Sequence, residues 1–206
     1  MNRTPKKKPD LLRRLRGRGG YSIAEALLAV LILALLSSGI AAGVSFAVRQ
    51  YNASMVRSES MVLTSTLTSI IRNELSIVSG GTGRVTVEGN KLVSFVSRNY
   101  TSEGNEEENR QSRFVVATKD AVTINGWTYG YLAIQPKDGG TENLLVGRSS
   151  YSAYQLKARV DVTVNPAAGD TVESYTVTLS VLLPSGEVLT NVFTVLPLNT
   201  VGISYA

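Results

Sequence analysis

Residues 26–48 read ALLAVLILALLSSGIAAGVSFAV, a run of 23 residues without a charged side chain. At about 1.5 Å per residue, a helix of this length crosses the hydrocarbon core of a bilayer, which is about 30 Å thick. A secretory signal peptide has an apolar region of about 7–15 residues, followed by a cleavage site of small residues. Here the small pair Gly19-Gly20 precedes the apolar region. The segment therefore predicts a membrane-spanning helix, about residues 26–48.

The positive charge of the chain is concentrated at its start. The sequence has 21 Lys and Arg against 16 Asp and Glu, a net charge of +5. Residues 1–20 contain eight of these bases and one acid, so the other residues have 13 bases, 15 acids and a net charge of −2. Basic residues before a membrane segment predict a cytoplasmic N-terminus and a C-terminal domain outside the cytoplasm. Because no long basic run follows residue 20, we expect no direct nucleic-acid binding.

The chain contains neither cysteine nor histidine. This composition removes disulfides, thiol nucleophiles, imidazole bases and most transition-metal sites. The sequence also has no Gly-x-Ser-x-Gly turn, which presents the nucleophile in many hydrolases. We therefore expect a protein that is not an enzyme and has no cofactor.

Gly20 and Glu25 are not explained by a plain membrane anchor. A carboxylate at the start of an uncharged membrane segment is costly and requires a partner. If the chain is cut after Gly20, Tyr21 gains a free amino group, and Glu25 lies four residues further along the same helix face. The carboxylate of one subunit can then neutralise the amine of the next, in a charge pair strengthened by low dielectric. Glu25 is therefore predicted to take part in assembly.

Residues 16–36, RGRGG followed by YSIAEALLAVLILALL, resemble the class III signal of type IV pilins and type II secretion pseudopilins. That family pattern is a short basic leader ending in Gly, an aromatic first mature residue, Glu at mature position five and an unbroken apolar helix. Gly20, Tyr21 and Glu25 occupy these places. The resemblance implies that a membrane prepilin peptidase cleaves after Gly20 and methylates the amine of Tyr21. It also implies a polymer with other pilin or pseudopilin subunits.

Three details depart from the usual family pattern. The leader, residues 1–20, is longer than that of type IVa pilins, and Tyr21 stands where Phe or Met is commoner. Mature position 22, often proline in major pilins, is Ala42. The length of the chain and the stretch Ser69–Ser76 resemble the larger minor pseudopilins of the J class and their competence-type relatives.

The predicted fold class is α+β, a long N-terminal helix packed on an antiparallel β-sheet domain, as in pilins. Apolar residues after Val48 recur at spacings of three and four, which predicts that the helix continues over residues 21–79. Two helices with a hinge near Gly43 are the alternative. Over residues 80–206, short β-branched and aromatic runs between turn signals predict a β-rich domain outside the cytoplasm.

Turn residues locate the predicted strands. Gly89-Asn90 and Asn125-Gly126 each predict a two-residue hairpin turn. A strand is expected over Gln155–Val164, and Tyr175–Leu183 is expected to pair with Val188–Val195.

Two clusters of residues are candidate binding sites. The glutamates of Arg98–Ser112 lack the spacing of a calcium loop, so we interpret that segment as an exposed loop without a metal. The alternating Trp127, Tyr129 and Tyr131 favour a set of aromatic residues packed in the core or across strands over a carbohydrate or protein contact.

The sequence therefore predicts a minor structural subunit of a type IV pilus or pseudopilus. The subunit would be a single-pass membrane protein that is assembled at the cell surface. The alternative is a single-span, membrane-anchored surface protein whose β domain binds a ligand without polymerising.

Overall fold

The computed structural model describes residues 22–78, 81–97 and 111–206. The described residues form one long helix, one short helix and eleven strands, so the chain is an α+β protein. The chain divides into two compact units, Met1–Asn52 and Ala53–Ala206. In chain order the elements are α1 (Ile23–Ser76), β1 (Gly81–Glu88), β2 (Lys91–Val96), β3 (Gln111–Val116), β4 (Val122–Ile124), β5 (Trp127–Tyr129), β6 (Leu132–Pro136), β7 (Asn143–Leu144), α2 (Arg148–Ser152), β8 (Lys157–Ala167), β9 (Thr171–Leu182), β10 (Val188–Val195) and β11 (Val201–Tyr205).

The first part of α1 is one uninterrupted helix. It passes through Gly39 and Gly43 without a break, so the structure does not have the two helices of the alternative prediction. The residues of α1 contain no proline, which would remove a backbone hydrogen bond and kink the helix. Glycine alone weakens a helix but does not interrupt it.

The second part of α1 packs against the sheet of the unit Ala53–Ala206. Leu63, Leu67, Ile71 and Leu75 are buried at intervals of four residues, so they form one stripe along the helix. They join a hydrophobic core with alternate residues of β9, including Tyr175. Apolar residues recur every four positions on the helix and every two on the strand, so each element has one apolar face.

Five strands close into a barrel. The strand β1 pairs with β2, β2 with β8, β8 with β9 and β9 with β11, all antiparallel, and β11 returns to β1 in parallel. The prediction of a wholly antiparallel sheet is therefore wrong for this one pair. A closed ring with an odd number of strands cannot alternate direction at every step, so one parallel pair is unavoidable. Beyond the ring, β10 extends the sheet from β9, and β3, β6 and β7 extend it from β2.

The three predicted strand pairings are confirmed. The strands β1 and β2 flank Gly89, which has φ +61°, and β4 and β5 flank Asn125 and Gly126, with φ +53° and +77°. Positive φ at both central residues is the conformation that an Asn-Gly hairpin turn requires. The strand β10 pairs with β9 along its whole length, from Val188 with Leu182 to Val195 with Tyr175.

Several predicted boundaries differ from the structure. The helix predicted over residues 21–79 ends at Ser76, and the strand predicted over Tyr175–Leu183 is Thr171–Leu182. The strand β8 begins at Lys157 because Gln155 has φ +54°, and it continues to Ala167 through a bulge at Asn165 and Pro166. The predicted exposed loop Arg98–Ser112 ends too late, since Ser112 belongs to β3, pairs with Phe95 and is buried. Residues 98–110 lie outside the described residues. Cross-strand pairing, which local polarity does not reveal, explains the burial of Ser112.

We expect Leu67→Ala to lower the free energy of unfolding by about 2–5 kcal/mol, because it leaves a cavity at a fully buried position. The matched control is Val62→Ala on the same helix, where the side chain is 57% exposed. That change should stay within about 0.5 kcal/mol of the wild type. Urea titration of the protein in detergent, followed by the fluorescence of Trp127, measures both. Equal losses of unfolding free energy in the two variants would contradict the packing of α1 against the sheet.

Two buried tyrosines should make the domain sensitive to alkali. Burial raises the pKa of Tyr151 to about 12, although the Leu132 N–H donates a hydrogen bond to its hydroxyl oxygen and acts in the opposite direction. Burial also raises the pKa of Tyr175, whose hydroxyl has no hydrogen-bond partner among the described residues. Above about pH 10 the unfolded chain loses these protons before the folded chain does. Stability should therefore fall between pH 10 and 12, by up to about 1.4 kcal/mol per pH unit for each tyrosine.

Tyr175→Phe tests this alkaline effect. At pH 7 its stability should lie within about 1 kcal/mol of the wild type or above it, because the lost hydroxyl makes no hydrogen bond within the described residues. From pH 10 to 12 its stability should fall less steeply, as measured by urea titration at each pH. An alkaline slope identical to that of the wild type would exclude Tyr175 as a source of the effect.

Candidate functional site

The structure describes one of the three residues predicted for processing and assembly. Gly20 and Tyr21, the predicted cleavage and N-methylation positions, lie outside the described residues, whereas Glu25 lies in the first turn of α1. Ser22 begins the helix, since its Oγ accepts a hydrogen bond from the Ala24 N–H at 3.3 Å and its carbonyl accepts one from the Glu25 N–H at 2.9 Å. A carboxylate in the first turn also interacts favourably with the helix dipole.

The spacing of Ser22 and Glu25 gives Glu25 a second possible role. A serine before a helix and a glutamate three residues later form the sequence pattern of a capping box. In that motif the glutamate side chain satisfies a free backbone N–H at the start of the helix. An effect of mutating Glu25 can therefore come from the helix start or from contact with another subunit, and a test must separate the two.

The apolar segment of α1, residues 26–48, is exposed on every face in the unit Met1–Asn52. Leu27, Leu35 and Ile40 are 64–67% exposed, and Phe46 is 70% exposed. A helix that is apolar on all sides is stable only when lipid or other helices surround it. The segment is near the N-terminus, and α1 is long and apolar enough to cross a membrane.

The polar groups of this segment are compatible with a lipid environment. The Ser38 hydroxyl donates to the Leu35 carbonyl oxygen at 2.8 Å, within the same helix. A hydroxyl bonded in this way does not require water. The backbone of an α-helix likewise satisfies its own hydrogen bonds, which is the condition for crossing a bilayer.

Gly39, Gly43 and Ala47 form a narrow stripe of small residues along one face of α1. A Cβ added at Gly39 or Gly43 would meet no other atom within 4 Å. Small residues four apart let two helices in a membrane approach closely. In the sequence prediction Gly43 was only a hinge candidate. The Gly-x-x-x-Gly spacing of Gly39 and Gly43 is the signal for close helix approach that was missed.

The aromatic residues singled out in the β domain have different environments. Tyr129 and Tyr131 are buried, as expected of a core or cross-strand set, and the Tyr131 ring packs on Tyr151 at 4.8 Å between centroids. Trp127 differs from that expectation, because it is 49% exposed. The glutamates of the predicted polar loop lie outside the described residues. Within residues 22–78, 81–97 and 111–206, no three Asp or Glu side chains are grouped closely enough to hold a metal ion.

The chain matches no protein-family model, no curated protein and no solved structure. The structure itself establishes an α+β protein with an apolar helix near its N-terminus, compatible with a single-pass membrane anchor. Any more specific function rests on the residues that precede and begin that helix.

Proposed function

We propose that the chain is a minor structural subunit of a type IV pilus or a type II secretion pseudopilus. Prepilin peptidase would remove residues 1–20 and methylate the new amine of Tyr21. One observation carries the proposal: Gly20, Tyr21 and Glu25 stand in the family's order directly before the charge-free apolar segment, residues 26–48. The long sequence and the stretch Ser69–Ser76 favour a pseudopilin of the J class.

Packing of apolar helices against one another is the driving contact that we propose for assembly. The apolar segment of α1 first lies in the membrane and then packs against the same segment of neighbouring subunits. The stripe Gly39, Gly43 and Ala47 allows the helix backbones to approach each other. A pair between Glu25 and the Tyr21 amine of the next subunit would set the position of one helix along another, in surroundings of low dielectric. The β domain would face outward.

The second candidate function is a membrane-anchored surface protein that binds a ligand through its β domain and does not polymerise. The half-exposed Trp127 in the β domain is the observation that favours it. The two proposals share the membrane helix. They differ in what happens to residues 1–20.

The intact mass of the protein purified from membranes distinguishes the pilin proposal from the anchored surface protein. The pilin proposal predicts a chain that begins at Tyr21 and carries one added methyl group. The control is the same measurement in cells with an inactive prepilin peptidase, where the leader should remain. An intact leader in cells with active peptidase would overturn the pilin proposal and support the anchored protein.

A further inference from the structure

The strand β10 is an open edge of the sheet. It pairs with β9 over all eight of its residues without a bulge, and no strand of the described residues pairs with its other side. The Leu183 N–H donates to the Glu187 carbonyl oxygen at 2.9 Å. Because hydrogen-bonded pairs alternate along an antiparallel ladder, the backbone groups of the even-numbered residues of β10 point away from β9. These residues are Val188, Thr190, Val192 and Thr194.

Nothing in the sequence of β10 prevents another strand from pairing with this edge. Of its outward backbone groups, only the Thr194 carbonyl oxygen has a partner among the described residues, the Arg72 guanidinium at 3.2 Å. Proteins usually block an open edge with charged residues, proline, a bulge or a very short strand. The sequence of β10, VLTNVFTV, has neither charge nor proline, whereas β7, at the far end of the sheet, has only two residues. The edge of β10 is therefore a template for a further strand.

The charges beside β10 favour a second copy of the same strand as its partner. Glu187 directly precedes β10, and Arg72 lies near its other end, with the guanidinium carbon 5.3 Å from the centroid of the Phe193 ring. Glu187 is about half exposed and lies 3.8 Å from Arg57, a loose ion pair. Antiparallel pairing of two copies would bring Glu187 of each next to Arg72 of the other, whereas parallel pairing in register would bring like charges together. The edge is therefore complementary to itself in the antiparallel direction.

We propose that two copies of the chain pair through β10, antiparallel and around a two-fold axis at Asn191. In this register all four outward residues find a partner, because Val188 faces Thr194 of the second copy and Thr190 faces its Val192. The Val192 side chain, which is 60% exposed, gains a β-branched neighbour across the strands. A two-fold contact between identical surfaces closes after two copies, so the expected product is a dimer.

The direction of β10 relative to α1 indicates where such a pair can form. Asn191 donates to Thr68, and the Thr194 carbonyl oxygen accepts from Arg72, so β10 and the second part of α1 run in the same direction. The two α1 helices of an antiparallel pair therefore run in opposite directions. Copies inserted side by side in one membrane, or assembled in one filament, run in the same direction. The pair would thus join copies on two facing surfaces or in two filaments, for a pilus subunit and an anchored protein alike.

A single cysteine tests the register, because the chain contains none. In Asn191→Cys the two Cα atoms would face each other at about 4.5 Å across the axis, a separation that a disulfide can bridge. Mild oxidation of the full protein in detergent should convert most of this variant into a disulfide-linked dimer. The control Thr128→Cys, exposed on β5, should remain largely monomeric. Equal cross-linking of the two variants, or none in Asn191→Cys, would overturn the proposed register.

Charge reversal tests the antiparallel pair without a cross-link. Glu187→Arg and Arg72→Glu should each weaken dimerisation at least tenfold, as measured by sedimentation velocity of the full protein in detergent over a range of concentrations. An equimolar mixture of the two variants should dimerise as the wild type does, because each end of the mixed pair again joins opposite charges.

Glu173→Arg, the same charge change at an exposed position of β9, is the matched control and should dimerise normally. Urea titration followed by Trp127 fluorescence shows that each variant is folded. A wild type that stays monomeric, or a mixture of folded variants that does not recover, would overturn the proposal. Dimers that persist in both single variants would also overturn it, since they would place the contact elsewhere, such as in the apolar segment of α1.

Discussion

Gly20→Val is expected to leave the leader on all of the protein. The proposed peptidase must bring its catalytic groups close to the backbone at the bond after residue 20, and glycine has no Cβ to obstruct that approach. Valine adds a branched side chain at this position and restricts the backbone. The processed fraction should fall from nearly complete to undetectable, as measured by intact mass and by gel mobility. If the protein polymerises after processing, as proposed, the variant should also be absent from filaments.

Gly17→Val is the matched control for this result. It places the same side chain in the same leader, three residues before Gly20. We expect it to be cleaved as the wild type is. If Gly20→Val itself migrates with the processed wild type, cleavage after Gly20 is excluded.

The second large effect is expected at Glu25. Glu25→Ala and Glu25→Gln should both insert into the membrane and lose residues 1–20, because neither alters the apolar segment or the cleavage position. Both should enter filaments at least tenfold less than the wild type, since neither can neutralise the amine of a neighbouring Tyr21. The ratio of protein in sheared filaments to protein in membranes measures this loss.

Glutamine separates the two possible roles of Glu25. A capping box accepts Gln as well as Glu, so Glu25→Gln preserves the helix start at Ser22 while removing the charge. A defect in both variants supports the charge pair. Normal assembly of Glu25→Gln with a defect in Glu25→Ala would assign Glu25 to helix capping, and normal assembly of both would exclude either role in the filament.

Local signals allowed much of the fold to be predicted. The helix α1 follows from an unbroken apolar and then amphipathic pattern, and the hairpin at Asn125-Gly126 follows from two residues that adopt positive φ. The strands β3, β6, β7 and β11 and the helix α2 were not predicted. The position of β11 depends on its pairing with β1, which is distant in sequence. A single sequence contains no local signal for such pairs.

The candidate sites were predictable to different degrees. Gly20, Tyr21 and Glu25 could be named because their spacing relative to the apolar segment is a linear pattern. The contact of Arg159 with Trp127 could not, because the two residues lie on different strands and are brought together only by the sheet. The same limit applies to Ser112, whose burial results from its pairing with Phe95.

The parallel pair of β1 and β11 affects when the barrel can fold. Val85 lies beside Ile203 and Val87 beside Tyr205, so the barrel can close only when the last strand is present. Contacts so distant in sequence form late and slowly. In a chain exported N-terminal helix first, β1 would leave the cytoplasm long before β11 was delivered. The barrel would then stay open until the chain as far as Tyr205 had crossed.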